Sequence, residues 1–131
     1  MKSVISKVLE GAMAQAVFDV SKAEERCWLK DCLMLQILNA ENSKGYRAIA
    51  SQLEGWQIAQ LKLRLERLAY RMGRDTDEAD RFYKAYISRL AERFGDAEQI
   101  TTQHAVVDIL GDKTTLSSRL FEMYGVDASV L

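Results

Sequence analysis

The sequence predicts an all-α protein, and three observations carry that expectation. The chain has 131 residues and no proline, the commonest helix breaker, while Ala, Leu, Glu, Lys, Arg, Gln and Met, all good helix formers, are plentiful. Apolar residues recur three and four positions apart over most of its length, the period of a helix with one buried stripe. Glycines and hydroxyl or acidic side chains stand between these stretches, where helix ends need caps. Hydrophobic residues make up 48% and charged residues 28%, enough apolar surface to offset chain entropy, so residues 1–131 are expected to fold as one domain.

The first helix is predicted from about Ser3 to Ala23, with Val4, Ile5, Val8, Leu9, Ala12, Ala16, Val17 and Val20 on its stripe. Lys7 and Glu10 interrupt what would otherwise resemble the apolar run of a signal peptide. Trp28 to Leu38 is nearly apolar all round after Asp31, as suits a central buried helix. ENSKG then forms a polar connection, and YRAIASQLEG a short helix with Gly55 in the C-cap position. Trp56 to Met72 is the clearest helix, aligning Ile58, Leu61, Leu65, Leu68 and Met72, and Gly73 stops it. Asp75, Thr76 and Asp77 are candidate N-caps for the next helix, whose stripe is Phe82, Ala85, Tyr86, Leu90 and Phe94 before Gly95. Thr101 or Thr102 caps a short helix ending at Leu110, and TTLSSRLFEMYG gives another ending at Gly125.

The chain also resembles itself. Shifted by 72 positions, Trp28 to Leu38 overlies Ile100 to Leu110, sharing Ile-Leu at the end and apolar residues at Leu33, Met34 and Leu35 against Ala105, Val106 and Val107. At a shift of 70, Gly55, Trp56, Ile58 and Leu61 match Gly125, Val126, Ala128 and Leu131. One repeat therefore runs over about residues 1–73 and the other over about 74–131, each ordered long helix, two short helices, glycine, further helix. In the second repeat that fourth helix is abbreviated, as expected either of an excised domain or of a small stand-alone protein.

The segment ITTQHAVVDILGDKTTLSSRLFEMYGVDASVL resembles the N-terminal repeat of Clp-type AAA+ unfoldases, which reads V-[ST]-x-E-H, three hydrophobic residues, x-L-L, then a short helix ending L-G-V-D. Thr101, His104, Ile109, Leu110, Leu116 to Phe121 and Gly125-Val126-Asp127 carry the match, which spans the chain but is fainter in the first half. The resemblance implies two pseudo-symmetric four-helix units packed into one globular domain. It also implies a non-catalytic role above an ATPase ring, in cis or in trans, capturing peptide segments of client or adaptor proteins. One such family type is the secretion-linked one that extracts sheath proteins by binding a helical peptide. In some members the acidic residue before the repeat histidine binds basic or phospho-arginine-marked substrates. The positions matching it are Asp31 and Gln103, where only Asp31 keeps a charge for a guanidinium; alternatively both simply favour a helix N-terminus.

Composition and motifs exclude other classes. No G-x-x-x-x-G-K-[ST] phosphate loop, nucleophile–base pair or metal-ligand set is present, so no enzymatic activity, cofactor or metal is expected. His104, the sole histidine, reads as packed and locally hydrogen-bonded at the start of its helix. Cys27 and Cys32 read as reduced thiols, which points to a cytoplasmic setting, and no apolar run is long enough for a membrane span. A net charge of -1, from 18 basic against 19 acidic residues, gives no global attraction to nucleic acid or anionic lipid.

Two surfaces remain as candidates. Val4, Ile5, Val8 and Leu9 either line a peptide-binding groove or belong to the ordinary core. Arg64, Arg67, Arg71 and Arg74 share one helix face and either meet phosphates or an acidic partner, or are solvated beside Glu66. The second pair of readings supplies the alternative function, a free-standing helical regulator or nucleic-acid-associated protein.

Overall fold

The computed structural model describes residues 4–22, 29–69 and 76–131. Among them are seven α-helices and two very short strands: β1 (Val4–Ile5), α1 (Lys7–Lys22), α2 (Leu29–Asn39), α3 (Lys44–Ala50), α4 (Gly55–Ala69), α5 (Thr76–Arg93), β2 (Gln99–Ile100), α6 (Thr102–Gly111) and α7 (Leu116–Met123). A single 3-10 turn follows at Ala128–Val130. The protein is therefore mostly helical, as its composition and periodicity predict. No helix among the described residues is long and apolar enough to cross a membrane.

The helix α2 is the centre of the molecule. Every residue from Asp31 to Leu38 is buried, and α1, α3, α4, α6 and α7 all pack around it. Around this axle the other helices present one stripe each: Leu9, Ala12, Met13 and Ala16 from α1, Ile58, Leu61 and Leu65 from α4, and Ile109, Leu110, Leu120 and Phe121 from α6 and α7. On α5 the buried line is Ala79, Tyr83, Tyr86 and Leu90, whereas Ala85 of the expected stripe faces solvent. Leu68 and Met72 fall outside the described side chains, as do Gly73 and Asp75.

Helix ends explain the differences from the sequence reading. The first helix starts at Lys7 rather than near Ser3, because Val4 and Ile5 pair in parallel with Gln99 and Ile100. The Ser6 N–H extends this pairing by donating to the Ile100 carbonyl at 2.8 Å, and Ser6 Oγ then accepts from the Leu9 N–H at 3.1 Å as an N-cap. Gly55 does not close α3; it opens α4. The Gln57 side chain reaches back to accept from the Glu54 N–H at 2.9 Å, a capping-box arrangement that starts α4 there. Thr101, not Thr102, is the N-cap of α6. Gly125 ends α7 as expected: at φ +80 it allows the Val126 N–H to reach the Phe121 carbonyl and its own N–H to reach that of Glu122.

Two short helices are capped both locally and from a distant helix. Ser43 Oγ accepts from the Tyr46 N–H in α3, and Thr115 Oγ1 from the Ser118 N–H in α7. In addition, Thr102 Oγ1 of α6 accepts from the Gly45 N–H of α3 at 2.7 Å. The Asp31 carboxylate of α2 accepts from the Leu116 and Ser117 N–H groups of α7, at 3.2 and 2.8 Å, and from the Ser117 hydroxyl at 2.6 Å. These bonds hold α3 to α6 and α2 to α7 with fixed register.

Gly45 shows how tight the first of these contacts is. A Cβ there would lie 2.9 Å from Ile37 Cγ2 and from the Thr102 carbonyl carbon and oxygen, and backbone cannot yield as a side-chain tip can. Gly45→Ala is therefore expected to force α3 off α6 and cost about 1–3 kcal/mol of stability, measured by urea unfolding. A stability at or above wild type would contradict this packing.

Candidate docking groove

The residues expected to bind peptide are divided by the helix surface. Leu9 is fully buried in the core, while its neighbour Val8 is 49% exposed; successive helical residues point about 100° apart. Ile5 is partly buried against the core beside Ile100, and Val4 contributes backbone pairing, its side chain lying outside the described set. Of the four, then, Val8 has the one described side chain that is exposed, Ile5 being partly buried and Leu9 wholly so.

Val8 lines one wall of a groove of about 290 Å³ formed by Gly11, Ala12 and Gln15 of α1 with Gln36, Asn39 and Ala40 at the end of α2. The groove exists because α1 meets α2 through small residues, Ala12 and Ala16, which bring the helices close and leave the taller Val8 at the rim. Gly11 adds no wall: a Cβ there would meet nothing within 4 Å. None of the lining residues is charged. Farther along α1, Phe18 is 51% exposed. On its other flank α1 borders a smaller depression of about 190 Å³, with Met13 and Val17 facing Tyr83 and Ile87 of α5. Asp80 and Lys84 stand at its edge, 2.9 Å apart.

Asp31 and Gln103 are not brought together as a charged receptor. Asp31 is fully buried and its oxygens receive three donors from α7, so no guanidinium can approach it in this conformation. Burial pushes its carboxyl above the usual range, and the Ser117 and Leu116 hydrogen bonds only partly offset this. Gln103 Nε2 donates to the Leu131 carbonyl at 3.3 Å. The alternative reading of Asp31, favouring a helix N-terminus, describes its geometry, except that the N-terminus is that of another helix. Arg64 and Arg67 are exposed on α4, with Arg64 lying over the Tyr124 ring at 5.8 Å. Arg71 and Arg74 lie outside the described residues.

His104 accepts the Thr101 N–H through Nδ1 at 2.9 Å, taking the place that Glu or Gln fills in a capping box. Burial and the nearby Lys44 lower its pKa, consistent with a neutral ring used as an acceptor. No group of three or more metal-ligating side chains occurs among the described residues. Cys32 is fully buried in α2, and Cys27 lies outside the described residues.

Sequence reasoning missed a polar cluster joining α2, α5 and α6. Lys30 Nζ donates to Asp112 at 2.8 Å and lies 3.3 Å from Asp108. Asp108 also accepts from the Tyr86 hydroxyl at 2.5 Å and from Arg93 at 2.8 Å. One signal was available: Asp108 and Asp112 stand four apart at the C-terminal end of α6, where helix carbonyls disfavour negative charge and a cation is needed. Hydrogen bonds from Lys30 and Thr114 hold the Asp112 carboxyl down to about 2. For Asp108, burial alone would raise the pKa, but Tyr86, Lys30 and Arg93 together lower it. Burial and the Asp108 carboxylate in turn push the Tyr86 hydroxyl up.

Comparison with protein-family models, with curated proteins and with solved structures gives no significant match.

The cluster sets a pH dependence. Carboxyls depressed in the folded state contribute stability above their unfolded pKa near 3.8 that is lost as pH falls toward about 2. Asp31, raised by burial, acts in the opposite direction. Lys30→Met removes the cation common to Asp108 and Asp112, so its stability is expected to fall less than that of wild type between about pH 5 and pH 2. Urea unfolding across that range measures it, and equal acid slopes would rule out Lys30 as the source.

Proposed function

We propose that the chain is a non-catalytic docking domain of the Clp N-terminal kind, which binds peptide segments of client or adaptor proteins for a AAA+ ATPase ring in cis or in trans. The uncharged groove beside Val8 carries this reading, because a neutral trough between two rigid helices suits the apolar face of a peptide helix. Affinity would come from apolar anchors, with the exposed Asn39 amide at the wall supplying a polar contact.

The two-unit architecture that goes with this proposal is supported by the paired caps. Ser43 and Thr115 are 72 positions apart, as are the N–H partners Tyr46 and Ser118, and as are Gly45 and Ser117, whose N–H groups are capped from the other half of the chain. Units over about residues 1–73 and 74–131, each supplying the cap for the other, would account for this correspondence. The 3-10 turn at Ala128–Val130 then stands where α4 stands in the first unit, matching the abbreviated fourth helix.

Titration of the isotopically labelled chain with amphipathic helical peptides from candidate adaptors, followed by NMR, tests the reading. Shifts are expected to cluster on Val8, Gly11, Gln15, Gln36 and Asn39, and Val8→Glu should weaken binding by about tenfold or more at unchanged stability. Gly11→Ala should separate the two properties. It is expected to stabilise α1 by roughly 0.5–1 kcal/mol while weakening peptide binding, because the added methyl rises into the groove. Shifts scattered over the whole surface would sink the proposal.

A further inference from the structure

We infer that the chain binds one peptide and not two, because the seam between α5 and α6 is the counterpart of the Val8 groove and is already filled by the protein's own side chains. The inference rests on the docking proposal and on the two-unit correspondence that accompanies it, and adds to them which unit binds.

The helices α1 and α5 correspond at a shift of 70. The inward residues Leu9, Ala12, Met13 and Ala16 have as counterparts Ala79, Phe82, Tyr83 and Tyr86, which also pack on the core. The depression between the two helices repeats the relation. Glu10, Met13, Ala14 and Val17 line it from α1, and the four residues 70 positions further on line it from α5. Matching positions that meet across one hollow are what a local two-fold axis produces. With α2 and α6 related at a shift of 72, the walls of the Val8 groove have definite counterparts.

Those counterparts close the second seam in two ways. Ala12 and Ala16, the small residues at the contact of α1 with α2, give place to Phe82 and Tyr86, whose rings stack with centres 5.6 Å apart. The Tyr86 hydroxyl is held by Asp108, the counterpart of Gln36, so this ring spans from α5 to α6. Arg89 lies over both rings, 5.5 Å from the centre of Phe82 and 5.7 Å from that of Tyr86. Charge is the second obstacle. No residue lining the Val8 groove is charged, whereas Gly11, Gln36 and Ala40 correspond to Arg81, Asp108 and Asp112. Lys30 pairs with both of these carboxylates, and Arg93 with Asp108. The apolar face of a peptide helix would have to displace the rings and strip water from these ion pairs, offering no polar group in return. The second unit thus uses as a tie between helices the position that the first leaves open to a ligand.

The test is calorimetric titration of the full chain with a synthetic amphipathic helix bearing leucines at three- and four-residue spacing, with amide shifts of the labelled chain followed in parallel. One peptide per chain is expected, moving Val8, Gly11 and Gln36 and leaving Phe82, Ala85 and Asp108 in place. Gly11→Arg copies Arg81 into the first groove at a position where a Cβ meets nothing within 4 Å, so the fold is retained. It should weaken binding by about tenfold or more. Two peptides per chain with shifts at both seams would overturn the inference and leave the docking proposal standing, as would undiminished affinity of the Gly11→Arg chain at the Val8 groove. Binding confined to the seam of α5 and α6, or none at millimolar peptide, would sink both.

Discussion

The Asp31 carboxylate is the constraint around which the rest of the structure is arranged. A carboxylate at zero exposure in the most buried helix carries a large desolvation cost unless fixed donors replace water. Here the replacement is the N-terminus of α7, whose first N–H groups would otherwise lack partners. Each group reduces the other's penalty, and neither can move alone. Because α2 also touches α1, α3, α4 and α6, the position of α7 is set relative to nearly every helix. Thr102 does the same for α3 with a neutral hydroxyl, where Gly45 permits backbone contact. No buried side-chain polar atom among the described residues lacks a partner, so these interior polar groups are compatible with a single close-packed core.

Beyond the core, electrostatics tie down α5. Asp108 and Asp112 put two negative charges at the unfavourable end of α6, and Lys30 and Arg93 answer them from α2 and α5. The Lys30 ammonium also lies 5.5 Å from the centre of the Tyr86 ring, whose hydroxyl bonds Asp108. A residue directly preceding Asp31 in α2 therefore fixes a third helix. The two adjacent residues point to different neighbours, one holding α7 and the other α5 and α6.

With polar groups committed to holding helices together, the exposed apolar side chains are what is left for recognition. The proposed groove at Val8 is lined by uncharged residues only.

How far the sequence reached follows from the range of the interactions involved. Helices were legible because their pattern is local: Ile58, Leu61 and Leu65 declare the buried side of α4, and Gly125 the end of α7, within a few residues. Val8 was legible as apolar and helical, but not as distinct from Leu9, since groove and core differ only in what packs alongside. The start of α1 depended on Val4 and Ile5 finding Gln99 and Ile100, two residues too few to show a strand's period. Whether Gly55 ends one helix or begins the next was settled by the Gln57 side chain. Asp31 read either as a charge able to pair with a guanidinium or as a residue favouring a helix N-terminus, and only the arrival of α7 made it a buried cap. The sequence by itself determined a helical chain whose short-range caps and stripes are complete. The tertiary structure alone decided which apolar residues stay exposed and which carboxylates are occupied, because both depend on neighbours supplied from far along the chain.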